Sequence, residues 1–153
     1  MKRLFASAIL VGLFSVVAVA QSKDPLVGTW KLNVAKSTGL SYKSGTTKIE
    51  AAGAGVKFDV ELVGTDGAVH KWSFTANYDG KDNPVTGNSP YGDTVALERV
   101  DAHTIRTTGK LRGKTVSTQT IVVAADGKTR TTTTKGTDAK GQKVDSVSFY
   151  EKQ

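Results

Sequence analysis

Few residues in this sequence have the types and spacing that chemistry requires. Cysteine is absent, which excludes a disulfide scaffold, a zinc–thiolate centre and a thiol nucleophile. The two histidines, His70 and His103, show neither H-x-H nor H-E-x-x-H metal spacing. His103 falls in a turn and His70 on the apolar side of a strand or at its mouth end. There is no G-x-S-x-G elbow and no phosphate-cradling P-loop. Asp59 and Glu61 share one face of an alternating run. A carboxylate pair works as acid and base only where burial splits its two pKa values. These two alternate with Phe58, Val60 and Leu62, so they are expected in solvent. The residues therefore predict no enzyme, no metal and no cofactor. What remains is recognition chemistry. Arg106, Gln119 and Arg130 each sit among short hydroxylated neighbours. An arginine facing a semi-apolar cavity binds a carboxylate or phosphate bidentately. The ordinary expectation is that both arginines face water, since unpaired charges are rarely buried. Strand register decides, because a slip of one residue reverses every side chain.

The elements that must position these groups are strands. No window carries a convincing 3.6-residue period. Period two recurs instead: Val56, Phe58, Val60 and Leu62, then His70, Trp72, Phe74, Ala76 and Tyr78. Threonine, β-branched and suited to a half-wet pleated surface, is abundant after residue 100. Turn signals are explicit at Gly53, Asp66-Gly67, Asp101, Arg112-Gly113, Asp126-Gly127 and Asp138 to Gly141. They delimit strands over 28–34, 45–51, 55–63, 68–78, 93–100, 103–109, 114–124, 128–136 and 143–151, with a short extra strand near 84–86. This is an all-β, up-and-down antiparallel meander of 8–10 strands. Closing it into a barrel removes the two edges a flat sheet exposes. A sandwich needs longer crossovers than most of these turns supply. Two connections are long, 35–44 and 79–92. Each reads as a lid or portal, or as a plain surface excursion.

The two halves of the chain differ. Early strands carry Trp30, Leu32, Phe58, Trp72 and Phe74, whereas 128–136 reads KTRTTTTKG and 114–120 reads KTVSTQT. A barrel lined on one side by threonine is short of apolar volume, and packed interiors leave few voids. A cavity apolar on one wall and hydroxylated on the other suits a small hydrophobic or amphipathic ligand. Phe58, Trp72, Phe74 and Tyr78 are the candidate apolar wall, and Gln119, Arg130 and Tyr150 the candidate polar anchors. The rival reading is a filled barrel whose basic surface binds an envelope component or a protein partner.

Residues 1–20, MKRLFASAILVGLFSVVAVA, have a basic start, an apolar core and an A-x-A end. They read as a secretory signal peptide, cleaved before Gln21, with residues 21–153 as one domain. No cysteine follows the site, so no lipid anchor is expected. The expected address is the periplasm or the exterior, with no stable membrane anchor after cleavage. Without Lys2 and Arg3 the formal charge falls from +7 to +5. The remaining basic residues are scattered, so nucleic acid is not an expected partner. Oligomeric state is left open.

Gly28-Thr29-Trp30-Lys31-Leu32 resembles the G-x-W opening of lipocalins and the opening of fatty-acid-binding proteins. The ending Phe149-Tyr150-Glu151-Lys152 resembles the close of the latter. Tyr78 to Gly87 and Asp93 to Leu97 resemble exported bacterial lipocalin-like proteins of unassigned function, and that likeness spans nearly the whole mature chain. The resemblance implies a calycin-type barrel with Trp30 plugging the closed end and Lys152 covering it. Two features depart from fatty-acid-binding proteins. Ten residues, 35–44, cannot hold their helical pair. Ser148 stands where they carry the arginine that grips the ligand carboxylate, so their specificity is not implied.

Overall fold

The computed structural model describes residues 24–153; the expected signal peptide and its cleavage site lie outside the described residues. Eleven strands form one antiparallel meander: β1 (Gly28–Thr38), β2 (Tyr42–Ala52), β3 (Gly55–Gly64), β4 (Val69–Asn77), β5 (Asn83–Pro84), β6 (Thr86–Gly87), β7 (Thr94–Arg99), β8 (Thr104–Leu111), β9 (Lys114–Val123), β10 (Thr129–Thr137) and β11 (Lys143–Lys152). The nine long strands are those expected from period two and the turn residues. The count passes the upper expectation by one because the extra strand near 84–86 is two pieces, Asn83–Pro84 and Thr86–Gly87.

Aspartate explains many of the reversals. The carboxylates of Asp66, Asp101, Asp126 and Asp138 each accept a hydrogen bond from the backbone N–H two residues on. Each thereby replaces a ladder partner where the chain turns.

The sheet order is β5-β7-β8-β9-β10-β11-β1-β2-β3-β4-β6, and pairing of β1 with β11 brings the two ends of the chain together. The sheet's own ends, β5 on β7 and β6 on β4, are separated in sequence by Val85 alone. One residue thus ties the two edges, and an Asp79–Glu98 bridge adds a further link. The result is a nearly closed barrel with its seam between β4 and β7. Gly87 makes this possible. Its φ is +106°, and a Cβ there would lie 2.2 Å from the Lys71 carbonyl oxygen.

The connection expected over 35–44 is mostly strand: β1 runs to Thr38 and only Gly39 to Ser41 turn. A bulge hides this in the sequence. Between Asn33 and Thr38 the register against β11 shifts, with Asn33 opposite Phe149 and Thr38 opposite Val147. The Ser37 hydroxyl donates to the Asn33 carbonyl at 2.7 Å and accepts from the Phe149 N–H at 2.9 Å, patching the ladder where the backbone departs. The loop over 79–92 holds the seam strands.

The apolar core gathers at one end. Trp30, Leu26, Ile49, Val56, Leu97 and Ile105 are the largest fully buried side chains. The Trp30 indole N–H donates to the Leu26 carbonyl at 2.8 Å. Lys152 crosses the ring at 4.8 Å and donates to the Pro25 carbonyl. Gly28 has φ +144°, a backbone conformation that suits glycine, and its lack of a side chain leaves room for the Lys152 stem. The G-x-W-and-lysine arrangement is therefore a plug: an indole satisfied by the backbone and capped by a cation.

Trp30 and Trp72 provide a comparison. Trp30→Ala empties the plug and is expected to cost about 3–5 kcal/mol. Trp72→Ala is expected to cost roughly 1–2 kcal/mol, because that ring is only half-buried. Urea denaturation of the two variants checks the ranking, and equal losses would refute the plug.

Candidate functional site

Above the plug the interior is not filled. A cavity of about 80 Å³ is lined on one side by Leu32, Phe58, Val60, Leu62, Trp72 and Phe74. Thr47, Thr107, Ser117, Gln119, Thr132, Thr134, Ser148 and Tyr150 line it on the other. The first set comes from β1, β3 and β4, and all but Thr47 of the second from β8 to β11. Phe58 and Phe74 stack with centroids 4.7 Å apart, and Trp72 meets Tyr91 edge-on at 6.1 Å. Such a volume holds several waters or a small ligand, as one water needs about 10–15 Å³ by the same measure.

The structure brings six of the seven candidate residues together: Phe58, Trp72, Phe74, Gln119, Arg130 and Tyr150 all line this cavity. Tyr78 does not. It continues the inward face of β4 beyond the last strand residue, Asn77, and so drops below the floor. Its hydroxyl donates to the Asp24 carboxylate at 2.6 Å, while Arg99 stacks on its ring at 3.9 Å and pairs with the same carboxylate. Tyr78 belongs to the closed end.

The expectation that both arginines face water fails for one of them. Arg106 is exposed, 3.9 Å from Glu98. Arg130 points inward and is 4% exposed. Its guanidinium carbon lies 4.2 Å from the centre of the Tyr150 ring and 5.4 Å from that of Trp30, so it forms the cavity floor between two aromatic faces. Burial pushes its pKa down to about 10, which leaves it a cation at neutral pH. Asp59 and Glu61 pair on the outer face with Lys57 and Lys71, at 3.0 and 2.9 Å. His70 stands at the mouth near the Asn88 carbonyl, and His103 is half-buried rather than free in its turn. Among the described residues no group of three or more His, Asp or Glu is placed to hold a metal ion.

Sequence reasoning missed the mouth. Tyr42, Ser89 and Tyr91 line both the inner cavity and a second hollow of about 360 Å³ at the open end. They are the partition between the two. The Tyr91 hydroxyl donates to that of Tyr42 at 3.3 Å. The loop carrying Tyr91 is held by the Ala139 N–H, which donates to the Pro90 carbonyl at 2.8 Å. The available signal was one aromatic residue in each of the two long connections.

Compared with known proteins, the chain matches no family model and no curated protein.

All four tyrosines of the sequence have phenols pushed above the usual value, in each case chiefly by burial. For a raised pKa the unfolded chain loses its proton first, so stability is intact below about pH 10 and falls as pH rises further. Arg130 acts oppositely: its depressed pKa is a cost below about 10 that is relieved above it. Four groups outweigh one. Tyrosinate absorbance should therefore stay low past about pH 10 and then rise together with loss of the β-sheet circular dichroism signal. A gradual rise in the folded state would contradict the burial of these hydroxyls.

Proposed function

We propose that this chain is an exported binding protein that holds a small hydrophobic or amphipathic ligand inside its barrel. The observation that carries the reading is the cavity of about 80 Å³ with an aromatic wall facing a hydroxylated one. Pockets of this make-up bind by apolar contact and are oriented by a few polar points. The Tyr42–Tyr91 partition supplies a route from the mouth. The G-x-W plug and the likeness to exported bacterial lipocalin-like proteins support the same reading, and the basic, apolar, A-x-A start of the sequence supports export to the periplasm or beyond. The residues that would touch ligand are Phe58, Trp72, Phe74, Gln119, Arg130 and Tyr150.

A filling substitution tests this directly. Thr132→Leu adds apolar volume to the hydroxylated wall and should abolish ligand-induced quenching of Trp72 while leaving the melting temperature equal or higher. Mass spectrometry of the protein purified from its host under non-denaturing conditions should show a bound small molecule. A bare protein, with no thermal shift across a panel of lipids and small metabolites, would favour the filled-barrel interaction protein instead.

A further inference from the structure

The cavity floor carries a charge that the protein itself does not neutralise. All fourteen acidic side chains of the sequence fall between Asp24 and Glu151, inside the described residues. The salt bridges they form engage lysines, Arg99 and Arg106, and none reaches Arg130. Among the described residues no Asp or Glu lines the cavity, and Arg130 is the only charged one that does. Its Nε is buried with no hydrogen-bond partner among the described residues, and so is the hydroxyl of Thr94 on the same lining. The aromatic faces of Tyr150 and Trp30 offset part of the desolvation but accept no N–H in the plane of the guanidinium. Tyr150, whose phenol burial keeps neutral, supplies no counter-charge.

A buried guanidinium without an anion is costly, and the arrangement that satisfies it is a planar pair of oxygens. One cation calls for one negative charge, so a monoanion fits and a phosphate dianion does not. Resting on the carrier reading above, we propose that the ligand is a small carboxylic acid bound head-down, its carboxylate on Arg130 and its apolar part along Phe58, Phe74 and Trp72. The hydroxyls of Thr47, Thr132 and Ser148 surround the head, and the stacked phenylalanines take the tail. The charge comes from β10, across the ladder from Tyr150, and not from position 148 on β11.

Calorimetric titration of the full chain with hexanoate and benzoate, against hexanol and benzamide, tests the assignment. The acids should bind at least about tenfold tighter than their neutral counterparts. That preference should vanish as pH falls through the acid's own pKa, about 4–5. Arg130→Met should erase it by weakening the acids far more than hexanol and benzamide, and should raise the melting temperature of the ligand-free protein. Arg130→Lys, a cation without the planar fork, should restore it only in part. If the neutral ligands bind as tightly as the acids, the head-group assignment is wrong and the carrier reading stands. If none binds at millimolar concentration, both fall. Should Arg130→Met fail to fold, the acid-against-neutral comparison on the unaltered chain decides alone.

Discussion

Everything inside this barrel follows from closing a sheet whose two halves carry side chains of unequal size. A flat sheet would let its threonine-rich strands face water. Pairing β1 with β11 and tying β4 to β7 forbids that, since half of every strand must then point inward. The inward residues of β10 are Arg130, Thr132 and Thr134, and those of β11 are Ser146, Ser148 and Tyr150. Short hydroxyls cannot meet the phenylalanines of the opposite wall. The closed end escapes the shortage because Trp30, Leu97, Ile105 and Ile49 are bulky from every side. Fill and void are thus segregated along the barrel axis, with stability at one end and room at the other.

Closure has a weak place. Long strands run on either side of the seam, yet only two-residue strands and the single Asp79–Glu98 bridge cross it. Val85, between those short strands, is also part of the cavity wall. The segment that hides the sheet's edges from other chains is therefore the one that limits sideways access to the interior. The mouth is held by different means. Tyr42 stands at the end of the β2 ladder, opposite Gly64, but Tyr91 lies outside any strand and is fixed by its hydroxyl contact with Tyr42 and by the Pro90–Ala139 hydrogen bond. A partition built from side chains opens with less disruption than one built from paired backbone.

The strands were legible because period two and aspartate–glycine turns are local signals. The cavity's two-sided character was legible too, because composition along the chain maps onto strand order in a meander. Three features were not. The bulge after Asn33 made a continuous strand resemble a loop, as the extra residues carry no pattern of their own. Tyr78 obeyed the alternation of β4, but alternation fixes the face of a residue and not its height in the barrel. Arg130 shares its composition with its outward-facing counterpart Arg106, and only register separates them. Opposite Tyr150 on β11 and Val123 on β9, Arg130 has inward neighbours on both sides.

The placement of that arginine also says something about how this fold tolerates strain. A hollow interior loses dispersion contacts, and an unpaired buried cation loses hydration. Either would be expected to be removed by any larger apolar residue on β10. The barrel can hold both because the costs fall on one layer. Below it, the Trp30 indole, the Leu26 carbonyl and Lys152 form a fully satisfied plug. Around it, nine long strands complete their ladders apart from the seam. Trp30 links the two layers, presenting a face to Lys152 at 4.8 Å and to Arg130 at 5.4 Å. One indole contacted by two cations gains attraction from both, while the cations repel each other. An anion bound on Arg130, as proposed above, would relieve that repulsion and so couple occupancy of the cavity to tightness of the plug through a single ring.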